Sequence, residues 1–218
     1  MRKFVPALLL LTLAACSHHA LPEYKTKLHE ARVSAYVDSA SGVIYRLGND
    51  VVKAQGNTLT VDVDSGVSGT QVFAKVKGAA NRREIAPKLQ EAFIGRTDKG
   101  LPFSVSANPA NVDTEIQVRL YTVGVERTPQ GKPEWFAGIR TQVIYTPERK
   151  ELWSNRTLAR FDPAWKGASG TDNADMFTEK GLVDASDERI NGWIEEITAE
   201  AARQAADQFI SAVNAPQP

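Results

Sequence analysis

The sequence predicts an α/β fold: a mostly antiparallel sheet packed by helices, in one layered domain with a long carboxy-terminal helix. Two observations carry most of this. Residues 114–161 hold three long stretches in which apolar and polar residues alternate. Two turn sequences, Thr128–Pro133 and Thr146–Arg149, join them, the pattern of an antiparallel meander. Apolar residues then recur at helical spacing through Ile190, Trp193, Ile194, Ile197, Ala201, Ala205, Phe209 and Val213. Such a stripe must bury itself against another layer, and the meander supplies that layer.

Taken in order, the chain opens with Met1-Arg2-Lys3, an apolar stretch from Phe4 to Ala15, and the run Leu13-Ala14-Ala15-Cys16. The apolar stretch is shorter than the roughly 20 residues that cross a bilayer. It fits the central region of a secretory signal peptide behind a basic start. Leu13-Ala14-Ala15-Cys16 resembles the lipobox of bacterial lipoproteins. The resemblance implies that residues 1–15 are a signal peptide, cut away before Cys16, whose sulfur and new amino group are then acylated. Each buried methylene contributes about 0.8 kcal/mol and stable anchoring takes about two membrane signals, so such an anchor is effectively permanent. Ser17 follows the cysteine. An Asp there tends to hold enteric lipoproteins in the inner membrane, so Ser17 points to the outer membrane, facing the periplasm. Residues 16–32 are polar, broken by Pro22, and are expected as a lipidated tether. A single periplasmic domain is expected over 33–218. Part of Glu23–Tyr36 also suits a short helix, and Ala31–Val52 shows no decisive pattern.

Thr58–Val63 alternates, with Leu59, Val61 and Val63 on one side, and reads as a strand broken by Gly66 and Gly69. Thr70–Val76 is β-rich and is expected as a second strand, stopped by Gly78. Asn81 suits a helix N-cap, Ile85, Leu89, Ala92 and Phe93 share a helical face, and Gly95 suits a stop. Pro87 inside this pattern must end, kink or shift the helix. Phe103–Val105 reads as a short strand between Pro102 and Pro109. In the meander, Ile116, Val118 and Leu120 share a face, as do Trp135, Ala137, Ile139, Val143 and Tyr145; Lys150–Phe161 is the third strand. Pro163–Leu182 is rich in Gly, Asp and Asn and is expected as a long loop. Ser186 or Asp187 caps the last helix, and Pro216 ends it.

The chemistry is defined largely by what is missing. The chain has 26 basic and 26 acidic residues. Loss of Arg2 and Lys3 with the signal peptide leaves 24 basic residues against 26 acidic, a net charge of −2. This is not the basic footprint of a nucleic-acid binder, and no Lys/Arg run suits anionic lipid. Cys16 is the only cysteine, so no disulfide forms within the chain. The three histidines are His18, His19 and His29. Beyond them the chain holds neither His nor Cys, which excludes Ser-His-Asp and Cys-His triads and ordinary zinc sites from the domain. Asp62–Gly66 begins like a calcium loop but lacks the glycine and glutamate that complete one. Asp172–Asp175 reads as a solvated loop, Glu195-Glu196 as a solvent face, and Asp113 and Glu115 as a strand start. No catalytic residue, metal ligand or cofactor site is expected. Of the four tryptophans, Trp135 and Trp193 lie on predicted core faces. Trp165 lies in the long loop, where it is either an exposed partner-binding anchor or folded back into the core.

The element order, with Ala110–Val118 leading into a central strand and Tyr145 followed by Lys150-Glu151-Leu152-Trp153-Ser154, resembles a group of periplasmic lipoproteins. Their domain is similar to the amino-terminal domain of TolB. The group includes curli-secretion-type lipoproteins, activators of penicillin-binding proteins and auxiliary lipoproteins of ABC-type transporters. The likeness spans roughly Thr70 to Val213; Pro87 and the long loop depart from it. It implies a membrane-anchored accessory lipoprotein that binds an envelope protein, glycan or lipid and is not an enzyme. An oligomeric secretion-pore component and a carboxylate-dependent glycan-active enzyme are the alternatives.

Overall fold

The computed structural model describes residues 20–47, 50–55, 58–60, 67–79, 82–128, 132–165, 167 and 174–215. The described chain begins with a short helix α1, Leu21–Tyr24, and a single 3₁₀ turn, Lys25–Lys27. Strands β1 (Glu30–Leu47), β2 (Asp50–Gln55) and β3 (Thr58–Thr60) follow. Helices α2 (Val67–Ala79) and α3 (Arg82–Thr97) lead to the short strand β4, Ser104–Ser106. The meander is β5 (Thr114–Arg127), β6 (Pro133–Tyr145) and β7 (Lys150–Phe161). A 3₁₀ turn at Ala174–Phe177, helix α4 (Glu179–Asp184) and helix α5 (Asp187–Asn214) complete it.

The sheet order is β3-β2-β1-β5-β6-β7, with β4 beside the start of β1. The meander β5-β6-β7 is antiparallel, as the two turn sequences require. Strand β1 runs parallel to both β4 and β5 and antiparallel to β2. The sheet is therefore mixed around an antiparallel meander, and the fold is α/β with a long carboxy-terminal helix, as the pattern predicts.

Helices α2, α3 and α5 all pack on one face of the sheet. Helix α5 is the keel. Ser186 accepts a hydrogen bond from the Arg189 backbone N–H and caps its first turn. Its stripe of Ile190, Trp193, Ile194, Ile197, Ala201, Ala205, Phe209 and Val213 is buried throughout. The Phe209 ring meets Trp153 of β7 at 5.5 Å, Phe93 of α3 at 6.2 Å and Phe103 at 6.4 Å. Trp135, fully buried on β6, donates its indole N–H to the Met176 carbonyl at 2.7 Å and holds the returning segment against the sheet.

Four expectations change. Thr70–Val76 is not a strand but the body of α2. Its apolar residues fit period 2 and period 3.6 equally, and Val72, Val76 and Ala79, spaced by four and three, are all buried. The expected tether ends earlier. Leu21, Tyr24, Leu28 and Ala31 are core residues, so the chain is folded from Ala20 onward. Gly95 does not stop α3, which continues to Thr97 through Pro87. Pro87 is exposed, and its ring and missing N–H remove one helical hydrogen bond without ending the helix. Finally, Pro163–Leu182 is not one loop, because Met176, Phe177 and Leu182 are buried in the 3₁₀ turn and α4. Residues 61–66, with the calcium-like run, lie outside the described residues, as do Asn81, Pro216, Asp172 and Asn173.

Candidate functional site

The face of the sheet opposite the helices carries exposed side chains, and its rows follow from register. Tyr36 of β1 lies opposite Arg119 of β5. Arg119 lies opposite Arg140 of β6, and Arg140 opposite Arg156 of β7. One straight row, Tyr36-Arg119-Arg140-Arg156, thus crosses four strands. Like charges directly opposite each other destabilise a sheet. Two such contacts in sequence need an explanation outside folding.

Rows two and three steps along the strands show how this surface treats its other charges. On one side Glu115 pairs with Arg32 at 3.9 Å, and Glu151 accepts from the Gln142 amide at 2.9 Å. On the other, Glu126 and Glu134 lie opposite each other, another like-charge pair. There Arg160 bridges them, bonding Glu126 and lying 3.5 Å from Glu134. Burial, with help from Asp162, raises the Glu134 carboxyl above its ordinary value. The arginine row has no such bridge. Arg119 donates only to the neutral Gln117 carbonyl at 3.2 Å and stands 5.6 Å from the Tyr36 ring. Among the described residues, no hydrogen bond or ion pair holds Arg140 or Arg156.

The two large hydrophobics most exposed among the described residues flank this row: Tyr36 at 43 % and Leu158 at 49 %. Leu158 faces Gly138 across the β6–β7 pair. A Cβ on Gly138 would stand 2.5 Å from the Tyr121 ring, so that ring lies over the glycine. Three guanidinium groups, two planar amides (Gln117 and Gln142) and two tyrosines therefore share one flat surface. Guanidinium forks match carboxylate and phosphate oxygens two at a time. The arrangement is suited to holding an anion.

The residues singled out from the sequence lie elsewhere. Cys16, His18 and His19 are outside the described residues. Trp165 is half-buried, its ring 4.7 Å from Phe161, whose own side chain belongs to the helix-covered core. It lies off the open face. Asp113 accepts from the His29 and Glu30 backbone N–H groups at 2.8 and 3.3 Å and from the Thr114 hydroxyl at 2.7 Å. Its carboxylate splices β1 to β5. Glu195 accepts from Asn191 at 2.7 Å within α5. Among the described residues no group of His, Cys, Asp and Glu is arranged to hold a metal ion. No described helix is long and apolar enough to cross a membrane. A groove of about 440 Å³ between α3 and α5 is lined by Lys88, Glu91, Arg96 and Arg203. There Arg96 pairs with Asp207 at 2.6 Å and Arg203 with Glu200 at 2.7 Å, so its charges are largely answered.

At the amino end, the Ala20 N–H donates to the Leu152 carbonyl on the outer edge of β7 at 3.0 Å. The Tyr24 hydroxyl bonds Glu148, and the Lys150 ammonium lies 4.6 Å from the Tyr24 ring. These contacts fix where the segment carrying Cys16 leaves the fold.

The chain matches no family model and no sequence among the curated proteins. Distant likenesses occur among solved structures. Protein XCC0632 from Xanthomonas campestris, of family DUF330, is 12 % identical over 81 % of this chain and 88 % of its own, with a TM-score of 0.35. The PelC dodecamer from Paraburkholderia phytofirmans is 10 % identical over 87 % and 89 %, also at 0.35. A protein from Caulobacter crescentus CB15 assigned as a lipoprotein is 8 % identical over 85 % and 93 %, at 0.28.

Proposed function

We propose that this chain is a non-enzymatic accessory lipoprotein of the bacterial envelope, anchored through Cys16, that binds an anionic envelope component across the open face of its sheet. One observation carries the binding reading: three arginines from three consecutive strands stand side by side with no acid between them. The lipobox-like run ending at Cys16 supports the anchoring. Only Ser17, His18 and His19 separate Cys16 from Ala20, the first of the described residues bonded to the sheet. Four chain steps at about 3.3–3.6 Å each reach roughly 14 Å, so the body works close to the membrane surface.

The test is retention of the detergent-solubilised full chain on an immobilised polyanion. Replacing Arg119, Arg140 and Arg156 with Gln should lower the eluting salt concentration far more than replacing Lys88, Arg96 and Arg203 with Gln. Both variants lose the same charge, so equal shifts would show only non-specific attraction and defeat the proposal.

A further inference from the structure

We infer that the arginine row is the track for a linear acidic polysaccharide, a chain of uronic-acid sugars lying across the strands; this rests on the reading of the open face as an anion site. Adjacent strands stand about 4.7–4.9 Å apart, and the register places the three arginines on neighbouring strands without stagger. The row therefore sets three arginine-bearing backbone positions at one-strand intervals along a line perpendicular to the strands. A 1,4-linked uronic-acid chain carries one carboxylate on every sugar of a stiff, extended backbone, so it can lay a single line of carboxylates along such a row. An extended acidic peptide, with carboxylates about 6.6–6.8 Å apart on one face, is the competing occupant that an oligoglutamate comparator distinguishes.

The width of the track argues in the same direction. The cationic strip is one row deep. The rows directly beside it, Gln117-Gln142-Ser154 and Thr122-Gly138-Leu158, are uncharged; Glu115 and Glu151 lie two rows away on one side and Glu126 and Glu134 three rows away on the other. A membrane surface is anionic in two dimensions and would meet those carboxylates as well. A single polymer chain would not.

The flanking groups suit sugars. Gln117 and Gln142, opposite each other beside the arginines, offer amide donors and acceptors to hydroxyl groups. Tyr36 closes one end of the row with an exposed ring, and the Tyr121 ring lies over Gly138 along its other side. An aromatic ring with a polar tip covers the apolar C–H face of a sugar while its hydroxyl stays in water.

The test titrates the full chain, purified in neutral detergent, with galacturonic-acid oligomers of defined length. Their methyl esters, glycerophosphoglycerol and an oligoglutamate peptide serve as comparators. Affinity for the acidic oligomers should rise with length until the row is filled and then level off, and the neutral esters should not bind. Arg140→Gln should weaken binding by about tenfold at an unchanged melting temperature or a slightly higher one. Arg140→Lys should fall between, because the charge remains and the fork is lost. Tyr36→Ala should weaken binding severalfold. Equal binding of acid and ester, or an Arg140→Gln variant that binds as the parent does, overturns the inference. If glycerophosphoglycerol or oligoglutamate binds through the row and the oligomers do not, the polysaccharide is wrong while the anion site stands. If no anion distinguishes the row variants from the helix-groove variants, both readings fall.

Discussion

Arg140→Gln should make the protein more stable. Arg140 is the middle member of the row and faces a like charge on each side. With guanidinium groups about 7 Å apart, each repulsion in water is about 0.6 kcal/mol. A Debye length of about 8 Å at physiological salt cuts this to roughly 0.25 kcal/mol, against about 30 Å and little screening at 0.01 M. Two neighbours then give about 0.5 kcal/mol at physiological salt and about 1 kcal/mol at low salt, within the range for cross-strand charge pairs. Glutamine keeps most of the half-buried aliphatic stem, so little packing is lost. For a domain of this size, 1 kcal/mol corresponds to about 2–4 °C. Thermal and urea melts of parent and variant at 0.01 M and 0.5 M salt provide the assay. The variant should melt about 2–4 °C higher at low salt, with the gain fading at high salt. A variant less stable by more than about 1 kcal/mol, with no dependence on salt, would mean that Arg140 holds the sheet together, and the argument for a site would fail.

Other perturbations test other parts of the account. Cys16→Ser should abolish incorporation of a fatty-acid analogue and shift the chain out of the membrane fraction; unchanged labelling would remove the anchor. Thr141 is buried between β5 and β7 with no partner for its hydroxyl; Thr141→Val should stabilise by about 1 kcal/mol in urea melts, and a loss of stability would reveal a missed hydrogen bond. A Cβ on Gly181 would stand 2.2 Å from the Asp175 carbonyl oxygen; Gly181→Ala should cost about 1–3 kcal/mol, and a neutral result would show that α4 does not pack tightly on the 3₁₀ turn. The Tyr24 hydroxyl, with Lys27 and Lys150, lowers the Glu148 carboxyl below its ordinary value of 4.5. A depressed carboxylate contributes stability that is present above that ordinary value and lost as pH falls through the lower, folded one. The stability gap between parent and Glu148→Gln should therefore be full at neutral pH and close in acid; a gap that persists at low pH would refute the pairing.

The parts of the fold legible in sequence are those where one period dominates. Alternation set the meander, and the stripe from Ile190 to Val213 set α5. Val72, Phe73, Ala74 and Val76 satisfy both periods, and only the packing of α2 against β1 and α5 decides between them. Leu21, Tyr24 and Leu28 are too few and too scattered to announce a core segment; α1 is buried against α5 and β7, both distant in the chain.

The arginine row was hidden for a sharper reason. A regular ladder counted from Tyr145 opposite Lys150 sets Arg140 against Asn155. The register break near Val143 leaves Leu152 as an extra residue and brings Arg156 there instead. A ladder counted from Arg127 opposite Pro133 sets Arg140 against Leu120, until the break at Tyr121 substitutes Arg119. Two bulges, neither with a glycine or proline among the bulged residues themselves, align charges that lie far apart in the chain. Alternation assigns a face; it does not assign a partner.

Tension applied at the amino end of the chain reaches the sheet at one hairpin. Ala20 hooks the Leu152 carbonyl, and Tyr24 clasps Glu148 and Lys150 at the turn between β6 and β7. That hairpin carries Arg140 and Arg156, and Leu152 is the residue whose insertion keeps them abreast. Leash and row thus meet on one hairpin, and a tug on the leash loads the bulged strand together with the packing of α1 on α5. A strand that slips by one residue turns every side chain to its other face. Unhooking Ala20 removes a restraint on that slip, which would carry Arg156 out of line and release whatever the row had gripped.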